Sequence, residues 1–296
     1  MTRISPNVHV QNQGEPLYAA CERSHRNART RHRFVHIVNP FFAPPSSEDD
    51  KIQQLTFHTI GLAQSLAPTG TAKAVAVTFP EEHIPLPPSF TRLQTLQRSA
   101  PDVGSFQMPR RLPLLFDVMA CGLAAADNQD YIVFTNVDIC LMPHFYGTLQ
   151  RILNLGFESL IINRRTIEKY GLDAQMLPLM FADYGQSHEG FDCFVFPRRL
   201  FDHFVRSDVC VGAPDVMRAL IFNLVALSES VLILCDTHLT FHLGDDKSWA
   251  KPELMDYHEH NRRCSYDVLV GQSSDPRRRE LLRSFCLAQN ERYSVP

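Results

Sequence analysis

Short apolar runs punctuate the chain, each too brief for a helix, and helix-length segments separate them. Phe34-Val35-His36-Ile37-Val38 stops at Asn39-Pro40, and Ala74 to Phe79 stops at Pro80-Glu81-Glu82. Tyr131-Ile132-Val133-Phe134 lies inside a segment from Asp130 to Ile139, and Ser159 to Ile162, Cys193 to Phe196 and Val231 to Leu234 follow. Runs that are apolar at every position, rather than alternating, suit strands covered on both faces. Between them, Asp49 to Ala67, Leu112 to about Ala126 (with Pro113 in its first turn), Tyr146 to Leu155, Arg198 to Val205 and Pro214 to about Leu227 read as helices. Alternation of this kind predicts an α/β fold: a Rossmann-like, mostly parallel central sheet flanked by helices.

The chain has 296 residues, enough for one large α/β domain or two smaller ones. Residues 1–30 are polar, Arg- and His-rich and without period, and are expected to form a mobile or loosely docked arm. Residues 31–250 form the expected single main domain, and 251–296 a polar, helical C-terminal extension. The stretch 83–108 shows no assignable pattern. With 29 Lys and Arg against 32 Asp and Glu, no overall positive field exists to hold nucleic acid or an anionic membrane, whereas small polyanions remain possible through local sites. The 8 cysteines include no CxxC pair, which argues against a zinc ribbon or a redox motif and suits free thiols. The N-terminal residues lack a signal-peptide core, and the longest apolar stretch, Ala219 to Cys235, is broken by Asn223 and Ser228-Glu229-Ser230. A cytoplasmic protein without integral membrane contact is therefore expected.

GxGxxG, GxxxxGK[ST] and GxSxG are all missing, which lowers the case for dinucleotide enzymes, P-loop NTPases and α/β-hydrolases. What stands out is YIVFTNVDICLMPHFY, residues 131 to 146, in which a buried strand runs into Asn136 and Asp138. Carboxylates at the C-terminal ends of central strands lie where open α/β sheets bind ligands. Two oxygen-bearing groups two residues apart on an extended segment face one cavity, as a hard divalent cation with a diphosphate requires; they also suit capping of the next turn.

The run FTNVDICLMPHFY resembles the Asp-x-Asp region of nucleotide-sugar glycosyltransferases of the GT-A type, with Asn136 in the first acidic position. FVHIVNPF, RRLPLLFDVM, GFDCFVFPRR and LTFHLGDDKSW, in that order, extend the resemblance over roughly residues 33 to 250. It implies a GT-A-like fold and transfer of a sugar, of hexosyltransferase kind, from a nucleoside diphosphate-sugar to a hydroxyl of a glycan or small-molecule acceptor. It also implies a divalent metal, Mn²⁺ or Mg²⁺, held by Asp138 and by a late His, which falls on His242. Asn136 is uncharged and a weaker ligand than Asp, so metal dependence is the point at which the chain departs from the family pattern.

By the same resemblance Asp192, just before the strand in HEGFDCFVFPRR, is the candidate base for the acceptor hydroxyl; it also suits fixing the turn there or orienting an acceptor. Asn39 and Glu81 or Glu82 fall where relatives cradle base and ribose. Arg110 and Arg111 are candidates for balancing diphosphate charge, and Lys247, with Trp249 beside it, for steadying the leaving group from a lid loop. His238 reads as a core or supporting residue; a two-His zinc site with His242 is a rival that finds no third ligand at a recognisable spacing. Two further readings stand beside the transferase: a sugar-1-phosphate nucleotidyltransferase, whose usual Gly-rich loop is replaced here by Asn39-Pro40-Phe41-Phe42, and a non-catalytic nucleotide-sugar binding protein on the same fold.

Overall fold

The computed structural model describes residues 1–11, 30–245, 252–289 and 293–296. Its centre is one twisted sheet with strand order β1-β2-β10-β8-β9-β6-β3-β4-β5. These strands are β1 (Thr2–Ser5), β2 (Val8–Gln11), β3 (Phe34–Val38), β4 (Ala72–Thr78), β5 (Phe90–Gln94), β6 (Tyr131–Thr135), β8 (Ser159–Ile167), β9 (Gln186–Pro197) and β10 (Val231–Leu234). Two short strands, β7 (Ile139–Leu141) and β11 (Thr240–Leu243), pair with each other, and β11 also joins β8. The order β5-β4-β3-β6 is parallel throughout, as is β8-β10-β2, and β9 runs antiparallel between the two blocks. The mostly parallel α/β sheet expected from the apolar runs is thus observed.

Strand alternation divides the core in two. Val35, Ile37, Ile132, Phe134, Ile161, Phe194 and Ile233 face α3 (Leu115–Gly122), α6 (Arg218–Leu227), α7 (Met255–Gln272) and α8 (Pro276–Ala288). Phe34, Val38, Val133, Leu160, Ile162, Val195 and Leu232 face α1 (Glu48–Leu66) and α4 (Phe145–Leu153). In α4, Phe145, Tyr146, Leu149, Ile152 and Leu153 recur at the i, i+4, i+7 spacing that lays one apolar stripe on the sheet. Ser47 caps α1 by accepting from the amide of Asp50, and acidic residues in the first turn complement the helix dipole. His36, wholly buried on this face, lies between the Tyr146 hydroxyl at 2.8 Å and the Thr135 hydroxyl at 2.9 Å; burial pushes its imidazole down to about 3, so the ring is neutral.

Several local expectations change. Residues 2–11 are not an arm: they form a hairpin whose β2 extends the sheet in parallel register with β10, because Val8 and Val10 alternate into the α8-side core. The rest of the proposed arm, residues 12–29, lies outside the described residues. Helix α3 begins at Leu115 rather than Leu112, since Pro113 makes a bridge with Ser99. Helix α6 begins at Arg218 because Asp215, with φ +61, turns the chain left-handed after Pro214. The unassigned stretch supplies edge strand β5 and the short helix α2 (Ala100–Val103). The strand foreseen at Cys193 to Phe196 is the middle of the longer β9, and the one foreseen from Asp130 to Ile139 ends at Thr135, so that Asn136 to Asp138 form the link to β7.

One buried ion pair locks the loops behind the site. Arg165 pairs with Asp236, their side chains 5% and 8% exposed, lies 3.6 Å from the centre of the Tyr184 ring and donates to the Gly185 carbonyl at 2.9 Å. Breaking such a pair strands a buried charge, which costs about 3–5 kcal/mol. Urea unfolding of Arg165→Met is expected to show a loss of that size, and an added Asp236→Leu to recover much of it; an unchanged midpoint in the single variant would refute the role.

Candidate functional site

A cleft of about 2480 Å³ opens at the C-terminal ends of β3, β4 and β6 and continues beneath α7. Asn39, Glu82, Arg110, Arg111, Asn136, Asp138, Arg164, His188, Asp192 and His242 line it. The sheet register explains how residues so distant in sequence meet. Antiparallel pairing of β11 with β7 puts His242 opposite Ile139, next to Asp138, while parallel pairing with β8 puts it beside Thr166. Pairing of β9 with β6 sets Cys193 opposite Thr135, so Asp192 and Asn136, one step further on each strand, stand side by side.

The Asn136 amide donates to Asp192 Oδ1 at 3.0 Å, and Arg164 Nη1 lies 3.4 Å from Asp192 Oδ2. His242 Nε2 is 3.3 Å from Asp138 Oδ2, and its Nδ1 is 2.7 Å from the Gly244 carbonyl. That carbonyl can only accept, so it fixes the Nδ1–H tautomer and turns the Nε2 lone pair toward a carboxylate oxygen. Two such acceptors approach this closely only around a proton or a cation. Two cis ligands about 2.1 Å from one octahedral cation stand about 3 Å apart, close to the separation seen. Asp138 Oδ1 is buried without a hydrogen-bond partner. These residues therefore fit a divalent metal, with water or ligand oxygens completing its sphere, and Asn136 is turned toward Asp192. Among the described residues no cluster of three or more His, Cys, Asp or Glu forms a protein-only metal site.

Electrostatics separate the two carboxylates. Burial raises the Asp138 carboxyl, but the hydrogen bond and charge of His242, together with Arg164, outweigh it and leave Asp138 below its ordinary value. For Asp192 burial prevails: helped by the negative charge of Asp138, it lifts the carboxyl above the usual range despite Arg164, His242 and Asn136. Burial lowers the His242 imidazole, yet the hydrogen bond and charge of Asp138 reverse this and raise it. One carboxylate thus stays ionised beside its His, and the other is more basic, as acid–base work requires.

The remaining candidates fall at different places. The Asn39 amide donates to the Val77 carbonyl at 2.8 Å, bracing the ends of β3 and β4. Glu82, rather than Glu81, lines the cleft, accepting from the Phe79 amide at 3.0 Å; burial raises its carboxyl. Glu81 instead pairs with Arg111, which also lies 4.0 Å from the centre of the Phe79 ring, so the charge of Arg111 is already partnered. The Arg110 backbone amide donates to the Tyr257 hydroxyl at 2.6 Å, which ties this segment to α7. His238 precedes β11 and packs its ring against Tyr184 and Phe241, away from the cleft lining, so it does not join His242. Lys247 and Trp249 lie outside the described residues. Arg164 and His188 escaped the sequence reading. A charged residue at the end of the apolar run Leu160-Ile161-Ile162 was the available signal for Arg164, whereas His188 offered none without the strand pairing.

No protein-family model matches the chain, and no curated protein matches it. Nucleotide-sugar transferases are among the solved structures to which it is similar. The S. aureus TarS fragment 1–349 in complex with UDP-GlcNAc shares 12% identity over 87% of this chain and 72% of that one, with a TM-score of 0.49. Glucosyl-3-phosphoglycerate synthase from Mycobacterium tuberculosis in complex with phosphoglyceric acid shares 12% identity over 87% of each chain, with a TM-score of 0.45. A putative nucleotide-diphospho-sugar transferase from Desulfovibrio desulfuricans G20 shares 13% identity over 80% of this chain and 98% of that one, with a TM-score of 0.37. At such scores these likenesses support no residue role, and the chemistry of the site rests on its own side chains.

The pair Asp138–His242 makes stability pH-dependent in metal-free protein. His242 is raised above its ordinary value of 6.5, so its contribution is full below that pH and is lost as pH rises through the folded value; Asp138 is depressed below 3.8, so its contribution is lost as pH falls through its folded value. In chelator-treated Asp138→Asn, burial dominates, and the His242 ring resonances are expected to titrate below 6.5 instead of above it. An NMR titration in which the variant and wild type coincide would show that the pair does not interact.

Proposed function

We propose that the chain is a GT-A-type glycosyltransferase that moves a sugar from a nucleoside diphosphate-sugar to an acceptor hydroxyl. The observation that carries this reading is the Asp138–His242 pair, with Nε2 and Oδ2 3.3 Å apart and Nδ1 held at the Gly244 carbonyl, at the end of a central strand. Asp138 and His242 would hold a divalent cation, Mn²⁺ or Mg²⁺, which neutralises charge on the leaving diphosphate. The half of the cleft over β3 and β4, with Asn39 and Glu82, receives the nucleoside. That UDP-GlcNAc is bound in the TarS structure agrees with this choice of ligand class and does not fix the base or sugar here.

In an inverting transfer the acceptor oxygen attacks the anomeric carbon, the bond from that carbon to the diphosphate oxygen breaks, and the hydroxyl proton passes to a base. Asp192 is that base. Its carboxyl is raised by burial toward the range useful for proton transfer, and Asn136 and Arg164 fix its two oxygens in place. Asn136 thereby gains a role that an Asp in the same position would not fill, since two carboxylates would repel where an amide donates.

Calorimetry with a panel of nucleoside diphosphates and nucleotide-sugars, with and without Mn²⁺ or Mg²⁺, tests the reading. One nucleotide is expected to bind in a metal-dependent way, and Asp138→Ala or His242→Ala to weaken it at least tenfold. No binding of any member to folded wild type would sink the proposal. With the donor known, Asp192→Asn is expected to lower kcat about 10²–10⁴-fold while nucleotide affinity holds. A product of retained anomeric configuration would remove Asp192 from the base role.

A further inference from the structure

We infer that the acceptor is a neutral sugar that hydrogen-bonds to His258 at the junction of α6 and α7, with Asp215 as the positioning residue for the imidazole. This rests on the transferase reading above and names the class of its second substrate.

The junction lies at the edge of the sheet that carries the site. β9 is antiparallel to both β6 and β8, and β10 is parallel to β8, so β6, β8 and β10 all end at that edge. Helix α6 leads back into β10 through residues 228–230, which puts its first turn where β10 ends. Asp215 and Arg218 at that turn, and His258 on α7, line the same cleft as Asp192. Strand order sets α6 and its partner β10 on one side of β6 and the nucleoside half, over β3 and β4, on the other.

Backbone strain and hydrogen bonds converge on one residue. Asp215 is held at φ +61, a left-handed conformation that a side-chain-bearing residue keeps only where its surroundings over-determine it. Helix α7 supplies that hold from one face: Asn261 donates to the Pro214 carbonyl at 2.9 Å and Ser265 to the Asp215 carbonyl at 3.1 Å. His258, one turn before Asn261, places Nε2 2.8 Å from Asp215 Oδ2, and Arg218 Nε donates to Oδ1 at 3.1 Å. A carboxylate only accepts, so Nε2 carries the proton and the neutral ring keeps its lone pair on Nδ1. Among the described residues Nδ1 has no partner, and the side chain is 30% exposed. One ring nitrogen is thus spent on fixing the imidazole, and the other is open to a hydroxyl.

Charge and shape narrow the ligand to a sugar. Arg218 pairs with Asp215 and Arg262 with Glu259, while Arg263 and Asp267, four apart on α7, add one charge of each sign. The junction therefore has no net charge to attract an anion, whereas hydroxyls, which both donate and accept, suit carboxylate–guanidinium pairs and an open imidazole nitrogen. Tyr266, two turns beyond His258 on the same face of α7, lines the cleft with its ring 40% exposed. An aromatic surface beside a few oriented polar groups matches a ring that is apolar on its C–H face and polar at its rim.

The test measures dissociation constants by ligand-observed NMR on the full chain with Mn²⁺ and the nucleoside diphosphate that binds best. The probes are glucose, galactose, mannose and N-acetylglucosamine, with glucuronate and glucose 6-phosphate as anionic counterparts. At least one neutral sugar is expected to bind at least tenfold more tightly than either anion. His258→Ala is expected to weaken it fivefold or more, His258→Gln to restore part of the loss through its carbonyl oxygen, and the exposed control Arg283→Gln to change nothing. In Asp215→Asn the ring ¹⁵N shifts of His258 are expected to lose the single Nε2–H tautomer, and sugar affinity to fall with them. Nucleotide affinity within about twofold of wild type verifies that each variant is folded. The inference is overturned if no neutral sugar binds while the nucleotide does, if the anions bind as well, or if sugar binding survives His258→Ala, which would place the sugar elsewhere in the cleft. An unchanged tautomer in Asp215→Asn would remove Asp215 from the positioning role. If no nucleotide binds, the transferase reading fails by itself, and the same sugars without nucleotide decide the site: binding lost in His258→Ala upholds it, and no binding to wild type removes it.

Discussion

Two carboxylates, Asp138 and Asp192, are brought to one cleft at the end of the central strands, close enough for the charge of Asp138 to raise the Asp192 carboxyl. Like charges held together and partly desolvated cannot both stay ionised without compensation. The compensation comes from His242 on Asp138, from Arg164 between the two, and from the Asn136 amide on Asp192. Each carboxylate ends with its own environment, one depressed and one raised. This division of labour follows from strand register, because each compensating group sits on a different strand or turn.

The sheet supplies that register through buried backbone pairing. β6 is paired on both sides, by β3 in parallel and β9 antiparallel, and buried apolar residues fill both of its faces. A slip of one residue would turn Val133 and Phe134 to opposite cores, so the position of Asn136 and Asp138 just beyond the strand is tightly specified. Behind the site, the neutral His36 network on the α4 face and the Arg165–Asp236 pair hold β6 and the β8, β9 and β10 connections in place. The charged groups can therefore be few and still well oriented, since the scaffold rather than solvent positions them.

Much of this was legible in the residues. The strands β3, β4, β6, β8 and β10 were visible as short apolar runs because burial on both faces leaves no alternation to misread. Asn136 and Asp138 stand out as polar residues at the end of such a run, Asp192 and His242 come from the family resemblance, and the structure brings all four to one cleft. The hairpin at residues 2–11 was missed because two strands of this length carry too little period to outweigh the polar residues around them. Glu81 and Glu82 stand on equal sequence grounds, and only the turn after β4 separates the one that pairs with Arg111 from the one that lines the cleft.

The sequence by itself determined the layer architecture and the residue types available for chemistry, because hydrophobic burial at a strand period is a local property of the chain. Which of those residues act together was decided by tertiary structure alone. His242 meets Asp138 through the β7–β11 register, and Arg164 meets His188 and Asp192 through a bulge in β9. Side-chain charge is encoded one residue at a time, whereas the distance between charges, which sets protonation and ligand preference, exists only after distant strands have paired.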